Sequence, residues 1–200
     1  IFLTSEYLNN SLLNNINFSS KIKNLLIKIL REYGFDSRND EDLYKVLRVV
    51  TGRKSRKVSL DFHFDAHLLT LLIPIIIPNR ENSDNGDLLI IKNLRKLHNK
   101  IFLNIAQKIF FQSKLFRYIL SKNIFAKIFK KEKLKLVPGN IYIFNGFRTL
   151  HANLNIHPTD VRATCLVHYY DIFRDSNLVS LNRKFRQKKE IKNFLRDKKN

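Results

Sequence analysis

The spacing of apolar residues along this 200-residue chain changes from helical to strand type near position 57, and that change bounds what it can fold into. Before it, Leu12, Leu13, Ile16, Ile22, Leu25, Leu26 and Ile29 recur at intervals of three and four, which predicts amphipathic helix over 5–33. Ser20 can cap a second helical segment there and Gly34 can end it. A further short helix is expected over 40–49. From Val58 to Asp65 the pattern alternates with period two, and Leu68–Ile77, Asp87–Ile91, Leu150–Ile156 and Val161–Tyr170 are short runs of strand type. Leu134–Val137 and Ile141–Phe144, joined by Pro138-Gly139-Asn140, predict a hairpin. Only 93–131 returns to helical spacing, through Ile101, Ile105, Ile109, Phe116, Ile119, Leu120, Ile124 and Ile128. Helices in front and strands behind, with one helical insertion, imply an α+β fold built on a β sandwich or barrel. One domain over 1–200 is expected: a helical part to residue 55, a β core over 56–172 and a basic tail over 173–200.

Composition then removes function classes. A single cysteine, Cys165, excludes a disulfide framework and any multi-cysteine metal site within one chain. Five scattered glycines form neither a phosphate-binding P-loop nor a dinucleotide-binding turn. The longest apolar stretch, Leu68–Ile77, is half the ~20 residues a membrane-spanning helix needs, and Pro74 interrupts it. The chain starts at Ile1 and contains no methionine, which reads as a trimmed or incomplete sequence. Its formal charge of +20 is concentrated in two blocks. Residues 93–135 carry 12 Lys/Arg against the single acid Glu132, and residues 183–199 carry nine against two acids. Such blocks attract phosphate-bearing or otherwise anionic partners, although a lysine-rich composition also produces solvated basic faces.

Three short segments carry chemistry. In His63-Phe64-Asp65, residues two apart on a strand project from one face, so an imidazole and a carboxylate converge. That is two thirds of a facial metal triad, although an isolated pair of this kind is often a surface histidine beside a solvated aspartate. His151 opens a strand just past the turn at Gly146, a good position for a third ligand; alone it reads equally as a satisfied rim histidine. Arg162 begins the last apolar strand, with Thr164 on the same face two residues later. An inward arginine needs an anion, and its planar fork suits a carboxylate, whereas a strand-end arginine can also reach solvent.

Together these segments resemble the Fe(II)/2-oxoglutarate dioxygenases, in which an HxD pair, a distant histidine and an R-x-[S/T] pair follow in that order. The flanks Pro138-Gly139, Phe144-Asn145-Gly146 and Arg162–Asp171 are similar to the phytanoyl-CoA-dioxygenase-like branch. The resemblance implies a double-stranded β-helix (jelly roll) over about 56–172, with N-terminal helices and the insertion 93–131 between its strands. It implies that His63, Asp65 and His151 bind Fe(II), and that Arg162 and Thr164 receive the distal carboxylate of 2-oxoglutarate. Because Asp65 keeps the carboxylate that related halogenases replace with a small residue, it implies hydroxylation of a C–H bond.

Thr70 and Asn153 lie where either could touch cosubstrate or substrate, or serve as structural hydrogen-bonders. His67 is out of phase with the metal face, His168 reads as core filling, and Cys165 as a small buried hydrophobe. The apolar stripe of 93–131 is expected to pack at the barrel mouth as a lid. Its other face would carry Lys100, Lys108, Lys114, Arg117, Lys122, Lys127, Lys130 and Lys131. Such a lid favours a small anionic substrate, such as an acidic sugar or a phosphorylated or lipid-linked molecule, or peripheral contact with an anionic membrane from the cytoplasmic side. Two rival readings are a catalytically silent metal-binding jelly roll and a nucleic-acid demethylase using the basic blocks. No base-reading motif supports the second.

Overall fold

A computed structural model describes residues 2–4, 16–37, 42–52, 59–81, 84–121 and 127–176 of the chain. The elements in order are β1 (Phe2–Thr4), α1 (Ile16–Glu32), β2 (Tyr44–Thr51), β3 (His67–Ile76), β4 (Leu88–Ile91), α2 (Ile101–Phe111), α3 (Lys114–Ser121), β5 (Glu132–Leu134), β6 (Tyr142–Asn145), β7 (Leu150–Asn153) and β8 (Val161–Asp171). All strand pairs are antiparallel, in a five-stranded sheet of order β1-β2-β8-β3-β6 and a three-stranded sheet of order β5-β4-β7. The molecule is thus a mixed helix and antiparallel-sheet protein, in keeping with the α+β expectation.

Alternation along β3 and β8 sorts the large sheet into two faces. Leu69 pairs Tyr169 and Leu71 pairs Val167, and this face is covered by Ile22, Leu26 and Leu30 of α1. Those three recur at i, i+4 and i+8, so one stripe of α1 is buried and its lysines stay outside. The opposite face presents Thr70, Leu72, Leu166 and His168 toward the small sheet. There Leu88 and Ile90 of β4 meet Leu72 and Leu136 in a second apolar cluster.

Strand β4 and strand β7 also alternate. Leu89, Ile91, Leu150 and Ala152 point away from the large sheet and are covered by Phe116 and Leu120 of α3. The expected lid therefore backs the small sheet, on the side opposite the residues that face the interior. Its helical run is also divided in two, with a break at Gln112–Ser113 where the Phe116 amide donates to Ser113 Oγ. Lys122 and Ile124 lie outside the described residues, as do 5–15 of the first expected helix and the tail from 177.

Other expectations are corrected. Residues 44–51 form strand β2 instead of a helix, because the edge of β8 offers eight residues of backbone pairing to a segment whose Tyr44, Val46, Arg48 and Val50 alternate as well as they repeat helically. The part of the chain before residue 56 is therefore not purely helical. The 134–137/141–144 hairpin does not form: β5 pairs β4 and β6 pairs β3, so the Pro138-Gly139 turn passes the chain from one sheet to the other. Gly139 has φ +91, a conformation glycine adopts without strain. The Tyr142 hydroxyl braces this crossing, donating to the Lys135 carbonyl at 3.0 Å and accepting from the Val137 amide at 2.9 Å. Of the 58–65 strand, the described part is a single bridge at His63. Among the described residues, no helix is long and apolar enough to cross a membrane.

Leu26 is fully buried beneath the large sheet, so Leu26→Ala is expected to cost about 2–5 kcal/mol of stability. Chemical denaturation should show the midpoint falling without a large change in slope.

Candidate metal centre

His63 and His151 exchange backbone hydrogen bonds, His63 N–H to His151 O at 2.9 Å and His151 N–H to His63 O at 3.0 Å. This closely paired bridge sets the two rings 4.4 Å apart between centroids. The Asp65 amide donates to Gly146 O at 3.0 Å, tying the second half of the HxD segment to the turn before β7. The ligand atoms of His63, Asp65 and His151 all lie within 4.8 Å of one another. His151 Nε2 is 3.6 Å and His63 Nε2 is 4.0 Å from Asp65 Oδ1.

Second contacts fix how these donors point. His63 Nδ1 is 2.8 Å from Asp61 O, and His151 Nδ1 is 3.1 Å from Thr149 O. A carbonyl only accepts, so each Nδ1 carries a proton and each Nε2 is left facing Asp65. The Thr70 hydroxyl donates to Asp65 Oδ2 at 2.5 Å and accepts from His168 Nδ1 at 3.1 Å. His168 in turn stacks on His67, with ring centroids 5.3 Å apart, and His67 on Tyr44. His63 has its pKa lowered, by desolvation first and His151 second, and so stays a neutral donor. Burial alone would raise Asp65, but His151, His168, His63 and the Thr70 hydroxyl outweigh it and hold the carboxyl ionised. Burial lowers His168 as well.

The same pocket continues to Arg162, six residues along β8 from His168. It is partly open to solvent, and its free volume of about 30 Å³ is room for little more than a water between the side chains as they stand. Arg162 is 2 % exposed. Its Nη2 donates to Asn153 Oδ1 at 2.9 Å and its Nη1 to Thr164 Oγ1 at 3.5 Å, while its Nε is buried with no partner. Burial first and Arg48 second push its pKa down to about 9, against the pull of Asp87. A buried guanidinium with an unused N–H is a fit for an entering carboxylate. Two imidazoles and one carboxylate on one side of an open pocket likewise fit Fe(II).

The sequence-derived residues His63, Asp65, His151, Arg162, Thr164, Thr70 and Asn153 thus line one pocket. Cys165 faces the α1 side, and burial raises its thiol to about 11. Three contributors were not read from sequence as part of the site. Arg48 enters from β2, directly opposite Thr164. Its signal was hidden because its segment reads as a helix. His168 belongs to the Asp65 network as well as to the core. Gly146 is needed because a Cβ there would meet Thr70 Oγ1 and approach Asp65 Oδ2 to 2.5 Å.

No family model matches the sequence, and no curated protein matches it. Solved structures do share its fold. EvdO2 from Micromonospora carbonacea var. aurantiaca aligns at a TM-score of 0.53 and 16 % identity, over 86 % of this chain and 67 % of that one. A prolyl 4-hydroxylase from Phytophthora capsici aligns at 0.52 and 11 %, over 88 % of this chain and 49 % of its own. The Pseudomonas putida prolyl-4-hydroxylase aligns at 0.50 and 8 %, over 84 % and 70 %. The chain spans about half the length of the Phytophthora protein.

Two substitutions outside the ligand set test how the site is held. Gly146→Ala and Thr70→Val are each expected to weaken metal binding about 10–100-fold, because both disturb the orientation of Asp65. Titration with Co(II), followed by its visible absorption, should show the loss while circular dichroism stays close to that of the parent.

Proposed function

We propose that this protein is an Fe(II)- and 2-oxoglutarate-dependent oxygenase that hydroxylates a C–H bond of a small anionic molecule. The observation that carries the reading is the placement of three convergent metal donors and a buried arginine with an unused N–H in one pocket. The shared fold with two prolyl 4-hydroxylases supports it. In this reading the two sheets are the halves of a double-stranded β-helix, and the chain belongs to the phytanoyl-CoA-dioxygenase-like branch.

Fe(II) with 2-oxoglutarate supplies, when bound, oxygen activation coupled to decarboxylation to succinate. The chain's own residues prepare that chemistry. His63, Asp65 and His151 would hold the metal, with their Nδ1 protons fixed on backbone carbonyls. Thr70 keeps one carboxylate oxygen of Asp65 engaged, so that Oδ1 faces the two imidazoles. Arg162 and Thr164 would take the distal carboxylate of 2-oxoglutarate, and Asn153 sets the guanidinium plane. Leu72, Leu88, Phe144 and Leu166 line the pocket between them and limit water.

The preference for an anionic substrate rests on Arg48. It adds a second guanidinium inside the pocket, whereas the lysines of the insertion belong to the far side of the small sheet. That placement also argues against a nucleic-acid demethylase, since the basic helices would hold a strand behind the sheet instead of offering a base to the metal.

Anaerobic titration of the Fe(II) protein with 2-oxoglutarate, read by the visible metal-to-ligand band, tests the assignment. Arg162→Ala should weaken binding ~30-fold or more, the cost of losing a buried charge-assisted pair of about 2–5 kcal/mol. Arg48→Ala should weaken it less, because Arg48 as a residue is only half-buried whereas Arg162 is 2 % exposed. Neither band nor succinate, or a band indifferent to Arg162→Ala, would overturn the cosubstrate site. A band with no succinate under oxygen would leave a silent binding module.

A further inference from the structure

Helix α2 is inverted relative to an ordinary surface helix. The residue it buries is Asn104, whose amide donates to the carbonyls of His98 at 2.6 Å and Lys100 at 3.1 Å and whose oxygen accepts from the His98 amide at 3.0 Å. Asn104 thus closes the loop that starts the helix, and this turns the apolar stripe Phe102, Ile105 and Ile109 outward. Phe102 is 73 % exposed and Ile109 67 %. The neighbouring elements extend the surface. Phe110 packs on Phe116 of α3 yet stays exposed, and Leu115, Tyr118 and Ile128 are exposed beside it. A helix pair anchored by Phe116, Leu120 and the half-buried Phe111 leaves most of its apolar side chains in water, which a folded protein retains chiefly where something covers them.

Charge decides what that cover is. Lys100, Lys114, Lys127 and Lys130 are exposed around these side chains, and the sequence from 93 to 131 contains no acid. A second copy of the chain would bring lysines against lysines. The face offers Phe, Ile, Leu and Tyr side chains among lysines and carries few neutral hydrogen-bonding groups that would read a particular protein partner. We infer that α2 and α3 form a docking face for an anionic lipid bilayer, with Phe102, Ile109 and Leu115 entering the interface and the lysines meeting the headgroups. The catalytic pocket lies on the other side of the small sheet, so the bilayer holds the protein by its back and leaves the mouth open. The inference does not depend on the oxygenase reading.

The chain contains no tryptophan, so Phe102→Trp installs a unique reporter at the centre of the stripe. With vesicles of phosphatidylcholine containing about a third phosphatidylserine, its emission should shift to the blue and the full chain should float with the lipid. Pure phosphatidylcholine should bind at least ~10-fold less, as should the triple variant Lys100→Glu/Lys114→Glu/Lys130→Glu on the anionic vesicles. Adding Ile109→Glu, or separately Leu115→Gln, should abolish the blue shift with an unchanged melting temperature. Because the 183–199 run could bring the chain to anionic lipid by charge alone, flotation without a blue shift overturns the proposal. So does absence of flotation. A dimer by light scattering that Ile109→Glu dissolves would assign the face to a second copy and overturn it as well.

Discussion

Strand β8 is hydrogen-bonded along both edges, to β2 and to β3, and its alternation decides what is core and what is site. Ala163, Cys165, Val167 and Tyr169 turn to one side, where Cys165, Val167 and Tyr169 join the cluster beneath α1. Arg162, Thr164, Leu166 and His168 turn to the other and line the pocket. A one-residue slip of this strand would put an arginine and a histidine under α1 and the apolar set into the pocket, so register and function are fixed by the same pairing. Both flanking strands obey it: Arg48 stands opposite Thr164, and Thr70 opposite His168.

That division leaves the pocket with charges that the core could not tolerate. Asp65 is held within the site by the Thr70 hydroxyl, with the rings of His63, His151 and His168 around it. Arg162 is compensated less completely, since Asn153 and Thr164 are neutral and Arg48 is a like charge beside it. Desolvating a guanidinium with an unused N–H is costly, and the cost is recovered when an anion enters. The two halves of the pocket therefore differ in kind. The donor end gathers three metal-ligating groups with Asp65 Oδ2 engaged by Thr70, and the arginine end keeps an unused N–H, so one is built around a cation and the other around an anion.

Much of this was legible in the sequence because it depends on local spacing. His63 and Asp65 lie two apart, Arg162 and Thr164 lie two apart on a long apolar strand, and period two fixes the face of each pair without reference to the rest of the chain. Elements whose conformation depends on a distant partner were harder to read. Residues 44–51 carry both periods and become a strand only because β8 has an edge to offer, and Arg48 was hidden with them. The 134–137 and 141–144 runs resemble a hairpin locally, but each has a better partner in a different sheet. Gly146 resembles any turn glycine until the folded chain brings Thr70 and Asp65 against its α-carbon.

The insertion shows the same limit at larger scale, and magnitudes settle what it does. Arg117 of α3 pairs with the carboxylate of Asp61, whose own carbonyl holds the His63 ring, so α3 reaches a metal donor through one residue. Both members of that pair are at least one-third exposed, and such pairs are worth only about 0–1 kcal/mol. Burying Phe116 and Leu120 against the small sheet contributes about 1.5–3 kcal/mol for each side chain. Packing therefore decides where α3 sits, and the ion pair only orients Asp61 once it is there. Those two side chains need an apolar face to bury against. The outer face of β4 and β7 supplies one, and α3 takes it.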